Sequence, residues 1–189
     1  MTRPTCILGI DPGMTGAIAF WDPADPEIVA AFDMPVVAKS LDEAALARRI
    51  AQFRPALAVI EQVSSMPKQG VASTFKFGTT YGAARGIVAA LGIPVHFVVP
   101  TKWKRHFGLS SDKELSRARA IHLWPASSLF EAKGKGSGRA EAALLARYGA
   151  EVVLGSVTAK AAGGLAERDG ASRLVPSSIL SPRGAGVPA

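Results

Sequence analysis

The chain has 189 residues, and its 22 Lys and Arg against 15 Asp and Glu give a net charge of +7. A hydrophobic content of 48% excludes a wholly disordered chain, and no apolar run reaches the roughly 18 residues of a membrane span. A single cysteine, Cys6, excludes an internal disulfide and, with three histidines, a Cys-rich zinc site. We therefore expect a soluble cytoplasmic protein. Its basic excess favours an acidic partner, with nucleic acid first and an anionic membrane surface second.

Short apolar runs at 6–10, 15–21 and 28–32 predict three strands, and the short gaps between them predict antiparallel hairpins. Apolar residues at helical spacing then predict a helix at 41–53, with Ser40 or Asp42 as its N-cap. A fourth strand is predicted at 56–60.

After a polar loop at 64–78, the pattern predicts a helix at 79–91, a strand at 95–99, and helices at 111–123 and 139–148. Asp112 or Ser111 is the expected N-cap of the 111–123 helix, and Gly149 is expected to end the last helix. Hairpin strands followed by alternating helices and strands indicate an α/β fold with a mixed five-stranded sheet flanked by helices. Gly, Ala, Ser and Pro dominate residues 155–189. We predict one domain over 1–154 and a flexible low-complexity tail over 155–189.

Three carboxylates follow a pattern within the predicted elements. Asp11 and Glu61 each come directly after an apolar strand, and Glu141 lies in the first turn of the final predicted helix. If the two strands are neighbours, both side chains project from the same sheet edge. Three converging carboxylates repel one another unless a divalent cation neutralises them, and hard oxygen ligands suit Mg²⁺ or Mn²⁺. The alternative is local: an Asx turn at Asp11 before Pro12, and Glu141 facing the helix dipole.

The glycine-rich segment 9–16 has a second possible use, because a strand–turn–strand with glycines and a hydroxyl can also cradle a phosphate. Phosphotransferases of the actin-like fold use such a loop. They need two lobes and a second phosphate loop, for which this chain is too short, so this remains a remote alternative.

The order and spacing of several motifs resemble the RuvC family of Holliday junction resolvases. The motifs are Ile10-Asp11-Pro12-Gly13, Val59-Ile60-Glu61-Gln62-Val63, and the spaced Lys104 and Lys113. The branch common in bacteriophages and prophages is the most similar. That similarity rests on Met66-Pro67-x-Gln69-Gly70-Val71-x-Ser73-Thr74-Phe75-Lys76-Phe77-Gly78 and Gly138-Arg139-Ala140-Glu141-Ala142.

The resemblance implies a ribonuclease H-like fold, a homodimer, and metal-dependent nicking of four-way or branched DNA in recombination, repair or phage DNA processing. It implies that Asp11, Glu61 and Glu141 are catalytic residues and metal ligands. Two Mg²⁺ or Mn²⁺ ions about 4 Å apart are then expected, which would activate water and stabilise the leaving oxygen. Lys104 and Lys113 match basic residues that assist near the scissile phosphate.

The chain departs from the family at Gly136-Ser137, where members of the family usually carry another Asp. Two outcomes follow. Either the enzyme binds its second metal more weakly, or the protein binds junctions with little turnover. The retained carboxylates favour the first.

Two groups of residues are predicted to contact DNA. Basic residues that neutralise phosphates are Lys102, Arg105, Arg117 and Arg119, beside Lys104 and Lys113. The second group combines basic and aromatic side chains, in which the cation can hold the DNA backbone while a base stacks on the ring. Its members are Lys68, Lys76, Phe75 and Phe77. The alternatives are a solvated helix face for the first group and core positions for the two phenylalanines. Trp103 and Trp124 are predicted to be core residues. The small residues of the 79–91 helix suit a dimer interface or packing on the sheet.

Overall fold

The structure of the protein, a computed structural model, describes residues 6–62 and 70–155. Its strands are β1 (Ile7–Asp11), β2 (Ala17–Trp21), β3 (Val29–Asp33), β4 (Val36–Val37), β5 (Ser40–Leu41), β6 (Leu57–Glu61) and β7 (Val95–Val98). Its α-helices are α1 (Glu43–Phe53), α2 (Val71–Ala90), α3 (Pro100–His106), α4 (Lys113–Leu123) and α5 (Lys135–Tyr148). A short 3₁₀-helix covers Ser128–Phe130, and a π-helix covers Gly149–Leu154.

The main sheet has five strands in the order β3-β2-β1-β6-β7. The first three strands pair antiparallel, whereas β6 pairs parallel with both β1 and β7. The predicted mixed five-stranded sheet is therefore confirmed. Because Ile10 pairs with Ile60, the carboxyl ends of β1 and β6 lie side by side at one edge of the sheet.

The sheet is buried on both faces because its strands are apolar at successive positions, and successive side chains point to opposite faces. On one face, residues such as Ile7 and Val59 form a core with Trp103, Trp124 and α5. On the other face, residues such as Leu8 and Ile60 pack with α1 and α2. The result is a three-layer arrangement with helices on both sides of the sheet. The predicted core positions of Trp103 and Trp124 are confirmed, since both are fully buried.

Helix α5 lies unusually close to the central strand β1. A Cβ atom placed on Gly9 would overlap the carbonyl oxygen of Ala142 and lie 2.6 Å from the backbone nitrogen of Ala146. Only a residue without a side chain fits this contact. Gly9 therefore fixes the depth at which α5 rests on the sheet.

Local capping agrees with the sequence at two helices. The Asp42 side chain accepts a hydrogen bond of 2.8 Å from the backbone N–H of Ala45, and Asp112 accepts one of 2.9 Å from Glu114. Each of these caps satisfies a backbone donor that the first helical turn leaves unpaired.

Helix α2 begins at Val71 rather than at residue 79, so the polar loop predicted over 64–78 is wrong from residue 71 onward. The first turns of α2 bury no apolar stripe, since both Val71 and Phe75 are exposed. These turns therefore lack the helical spacing of apolar residues from which a helix is predicted. The signal starts at Thr80, Ala84 and Val88, the buried residues of the helix.

Four further differences separate the structure from the sequence-based expectations. The short helix α3 was not predicted, and α5 starts at Lys135 rather than at residue 139. Gly149 does not end the helical path, because the chain continues into the π-helix to Leu154. The β4–β5 hairpin was also missed. Its turn residues Ala38 and Lys39 both have positive φ, a conformation that Asn or Gly usually signals in a sequence. Within the described residues, no helix is both long and apolar enough to span a membrane.

Candidate active site

The three predicted carboxylates are placed by two neighbouring strands and one helix. Asp11 is the last residue of β1, and Glu61 is the last residue of β6, its parallel neighbour. Glu141 comes from α5, which packs directly on β1 at Gly9. Glu61 and Glu141 are both buried. The fold therefore brings Asp11, Glu61 and Glu141 to one end of the sheet.

Burial and the charges of the neighbouring carboxylates raise the pKa of Asp11 and Glu61. Burial, followed by the charges of Glu61 and Glu141, raises the pKa of Asp11 to about 7. Burial also raises the pKa of Glu61; a hydrogen bond from Trp103 opposes this shift, and the charge of Glu141 adds to it. The negative charge at this edge is thus incompletely balanced by the protein itself.

Glu141 is held by two lysines and a serine. The Lys104 ammonium lies 2.7 Å from Oε1 of Glu141, and Lys113 lies 3.3 Å from Oε2. The Ser116 hydroxyl donates to Oε1 at 3.4 Å. Lys104 is itself buried, with 8% of its surface exposed. Burial lowers the pKa of Lys113, but the carboxylates of Glu141, Asp11 and Glu61 raise it by more.

Glu61 is oriented by a residue that the sequence marked only as core. The Trp103 indole N–H, from α3, donates a buried hydrogen bond of 2.8 Å to Oε1 of Glu61. The two residues are 42 positions apart, so no local pattern links them. Trp103 therefore serves both the core and the position of this carboxylate.

Arg139 and Asp33 form a second contact that sequence reasoning missed. The Arg139 guanidinium binds the Asp33 carboxylate through two bonds, of 2.7 and 3.0 Å. Burial would raise the pKa of Asp33, but Arg139 and Lys135 lower it overall. The pair joins the end of β3 to the first turns of α5, two residues before Glu141. The only sequence signal for this contact is that Arg139 lies in the motif Gly138-Arg139-Ala140-Glu141-Ala142.

Gly136 and Ser137 occupy the position at which the family resemblance implies another acidic residue. Ser137 lies one helical turn before Glu141 on α5, and its hydroxyl donates to Oε1 of Glu114 at 3.4 Å. Gly136 packs tightly, because a Cβ there would lie 2.6 Å from the carbonyl oxygen of Phe130. A side chain is therefore tolerated at 137 and obstructed at 136.

No protein-family model matches the chain, and no curated protein matches its sequence. Solved structures do match. RuvC of T. thermophilus in complex with a Holliday junction substrate is similar with a TM-score of 0.55 and 16% identity, over 78% of this chain and 95% of that one. A second structure of Thermus thermophilus RuvC gives a TM-score of 0.51 and 17% identity, over 77% of this chain and 95% of that one.

The yeast mitochondrial Holliday junction resolvase Ydc2 matches with a TM-score of 0.45 and 15% identity, over 77% of this chain and 78% of that one. The chain has the ribonuclease H-like fold of RuvC. The fold class expected from the sequence is thereby confirmed.

A divalent cation is the group that this fold and these residues imply. Within residues 6–62 and 70–155, no three His, Cys, Asp or Glu side chains are already gathered as a metal site. The donor chemistry nevertheless fits, because the three side chains at this end of the sheet offer hard carboxylate oxygens, and the charge of Glu141 acts on both Asp11 and Glu61. Burial is the main cause of both raised pKa values, and the neighbouring carboxylate charges add to it; a bound cation would offset those charges.

The basic residues predicted for DNA contact fall into two groups on this ribonuclease H-like domain. Lys102, Arg105 and Lys113 are exposed. Arg117 is turned toward the protein, where it pairs with Glu114 at 2.9 Å and donates to the carbonyl oxygen of Phe130 at 3.3 Å. Arg119 is half-buried.

Of the aromatic and basic group, Phe75 and Lys76 are exposed on the first turns of α2, and Phe75 has 75% of its surface in solvent. The core alternative is therefore wrong for Phe75. Phe77 is half-buried and stacks on Tyr81, with ring centroids 6.0 Å apart. Lys68 lies outside the described residues.

Proposed function

We propose that this protein is a divalent-metal-dependent endonuclease that nicks four-way or otherwise branched DNA. The observation that carries the proposal is the meeting of Asp11, Glu61 and Glu141 at the end of β1 and β6, with two lysines beside them. The ribonuclease H-like fold supports it, since this is the fold of T. thermophilus RuvC.

Each residue has a distinct part in the proposed reaction. Asp11, Glu61 and Glu141 would hold Mg²⁺ or Mn²⁺, which when bound supplies an activated water and stabilises the leaving oxygen. Trp103 orients Glu61 through its indole N–H. Lys104 is buried against Glu141 and positions it, so its role differs from the phosphate contact that the resemblance implied. Lys113 is exposed and is the lysine that can reach a substrate phosphate.

Branched DNA is proposed as the substrate for two reasons. The RuvC to which the fold is similar binds a Holliday junction. In addition, the chain is basic, and Lys102, Arg105 and Lys113 are exposed on α3 and α4, the two helices whose Lys104 and Lys113 contact Glu141. Lysine and arginine contacts to phosphates release counterions, so binding should weaken steeply with salt. Comparing cleavage of junction, fork, flap and linear duplex in one assay tests the substrate class.

The central test exchanges one carboxylate for its neutral isostere. Asp11→Asn should abolish cleavage in Mg²⁺ while junction binding stays near normal. Asp25→Asn is the matched control: it lies in the β2–β3 turn, at the opposite end of the sheet from Asp11, because β2 runs antiparallel to β1. Retained cleavage by Asp11→Asn would overturn the mechanism. Loss in both variants would point to a folding defect, which circular dichroism identifies.

A homodimer is part of the proposal, because a two-fold symmetric junction needs two coordinated cuts. The small residues Gly82 and Gly86 of α2 are exposed, while Ala84 and Val88 of the same helix are buried. A Cβ on Gly86 meets nothing within 4 Å, so a larger side chain there leaves the subunit intact. In light scattering, Gly86→Glu should yield a monomer. Ala118→Glu, at an exposed position of α4, should stay dimeric. A monomeric unmodified protein with junction DNA present would contradict the dimer.

A further inference from the structure

A groove of about 650 Å³ opens beside the candidate active site, between the β1–β2 turn, the segment that follows β3, and the first residues of α4 and α5. We call it the flank groove. Its side chains that matter below are Met14, Met34, Val36, Lys113, Lys135 and Asp33.

The flank groove is continuous with the carboxylates. Lys113 lines the groove and also lies 3.3 Å from Oε2 of Glu141. Met14 follows Asp11 by three residues, so the turn after β1 leads from the carboxylate edge into the groove. A DNA strand whose phosphate lies at the carboxylates therefore meets the groove with its next nucleotide.

The charges of the flank groove suit a polyanion. The side chains of Lys113 and Lys135 are 62% and 76% exposed, which leaves both ammonium groups within reach of a phosphate. The negative charge of Asp33 is balanced by Arg139, at 2.7 and 3.0 Å, whereas Lys135 lies farther away, at 3.5 Å, with most of its side chain in solvent. The charged groups lining the groove are thus two accessible cations and one compensated carboxylate.

The floor of the groove suits a flat ring. Met14, Met34 and Val36 give it an apolar surface, and methionine sulfur makes favourable contacts with aromatic rings. Its volume lies within the range of about 300–1,000 Å³ that is usual for small-molecule sites. One nucleotide fits such a space, whereas a stacked base pair does not present its ring face to it.

We infer that the flank groove binds one unstacked nucleotide of the cleaved strand, adjacent to the scissile phosphate. The base packs on Met14, Met34 and Val36, and Lys113 and Lys135 hold the flanking backbone phosphate. This inference rests on the proposed nuclease function and adds to it a site that selects the local DNA conformation.

Asp33 gives the groove a base preference. A carboxylate has about four acceptor sites, and Arg139 occupies two of those on Asp33. The remaining sites can accept a hydrogen bond from an exocyclic amino group, as Asp does from cytosine. Thymine has no such group. Cytosine, adenine or guanine next to the cut is therefore favoured over thymine.

The test compares neighbouring valines of the β4–β5 hairpin. Both valines are exposed, by 38% and 64%, but Val36 lines the groove, whereas Val37 points to the other face of the strand and does not. Val36→Glu should raise the Kd for a four-way junction about five- to tenfold more than Val37→Glu, because it loses the base contact and repels phosphate. An abasic site at each position flanking the cut should remove the difference between the two variants at one position.

Three outcomes are distinct. Equal affinities of Val36→Glu and Val37→Glu, in a protein that still cleaves junctions, would overturn the groove inference and leave the nuclease intact. Absence of junction binding or cleavage by the unmodified protein would instead overturn the proposed function. If Val36→Glu lowers Tm relative to Val37→Glu, Lys135→Gln is compared with Lys133→Gln, an exposed lysine outside the groove lining. Only Lys135→Gln should then weaken binding, and equal effects would reject the inference.

Discussion

The buried ammonium of Lys104 lies 2.7 Å from the buried carboxylate of Glu141. Lys104 comes from α3, a helix that the sequence pattern did not reveal, and Glu141 comes from α5. The pair balances one of three crowded carboxylates and fixes its direction. Such a pair is costly to break, because removal of one member leaves a buried charge without compensation.

Lys104→Met should therefore lower the free energy of unfolding by about 2–3 kcal/mol, somewhat less than a fully isolated charge would cost, since Lys113 and Ser116 still contact Glu141. Lys102→Met, an exposed lysine of the same helix, should change it by less than about 0.5 kcal/mol. Urea denaturation measures both. The double variant Lys104→Met/Glu141→Gln should recover much of the loss. Equal effects of the two lysine variants would contradict the buried pair.

The raised pKa of Asp11 predicts a pH-dependent stability. In the folded protein this pKa is about 7, against 3.8 for an ordinary Asp in water, so folding favours the protonated form. The contribution of protonated Asp11 to the stability of the folded protein is complete below the pKa that Asp11 has in the unfolded chain. It is lost as the pH rises through 7. In EDTA, Asp11→Asn should therefore be more stable than the unmodified protein at pH 8 by about 1–3 kcal/mol. The two should be equally stable near pH 3.

Asp25→Asn is the control for this comparison: it keeps Asp11, so its stability should fall between about pH 3 and pH 8 as that of the unmodified protein does. Adding Mg²⁺ at pH 8 should stabilise the unmodified protein and not Asp11→Asn. Thermal unfolding across about pH 3–8 measures both effects. A constant difference between Asp11→Asn and the unmodified protein at every pH would contradict the raised pKa of Asp11.

Ser137 offers a way to restore the missing carboxylate. Ser137→Asp adds a charge one helical turn before Glu141, and Ca²⁺ or Mg²⁺ affinity rises with the charge of its ligands. Calorimetry should show Mn²⁺ binding tighter by on the order of tenfold, with Ser137→Asn as the isosteric neutral control. Without metal, Ser137→Asp should unfold more easily because Glu114 lies beside it. Unchanged Mn²⁺ affinity would reject a ligand role at this position.

Gly136→Asp should not achieve the same restoration. Its Cβ would lie 2.6 Å from the carbonyl oxygen of Phe130, so the backbone must shift to admit any side chain. We expect a lower Tm for Gly136→Asp than for Ser137→Asp in the presence of Mn²⁺. Equal Tm values would show that the contact at Phe130 relaxes without cost.

Gly9 tests the position of α5. Gly9→Ala forces a Cβ into the backbone of Ala142 and should lower the free energy of unfolding by about 1–3 kcal/mol or more. Gly78→Ala is the matched control on α2, where nothing lies within 4 Å, and it should stabilise the helix by up to about 1 kcal/mol. Denaturant midpoints measure both. A neutral Gly9→Ala would contradict the close packing of α5 on β1.

The sequence alone determined the features that depend on local pattern. The five strands of the main sheet follow from short apolar runs, and the starts of α1 and α4 follow from the caps Asp42 and Asp112. Asp11 and Glu61 could be singled out because each ends an apolar strand. The two side chains are expected at the same end of the sheet if their strands are neighbours. The parallel pairing of β1 with β6 confirms that the strands are neighbours.

Only the tertiary structure decided which charges meet. Lys104 and Glu141 are 37 residues apart, and Arg139 and Asp33 are 106 apart, distances at which no periodic signal connects two side chains. These contacts arise because Gly9 lets α5 settle onto β1 and because α3 brings Trp103 and Lys104 beneath the sheet edge. Periodicity reports which face of an element is buried. The partner of a buried charge depends on how several elements pack together, and that is set by the shape of the whole core.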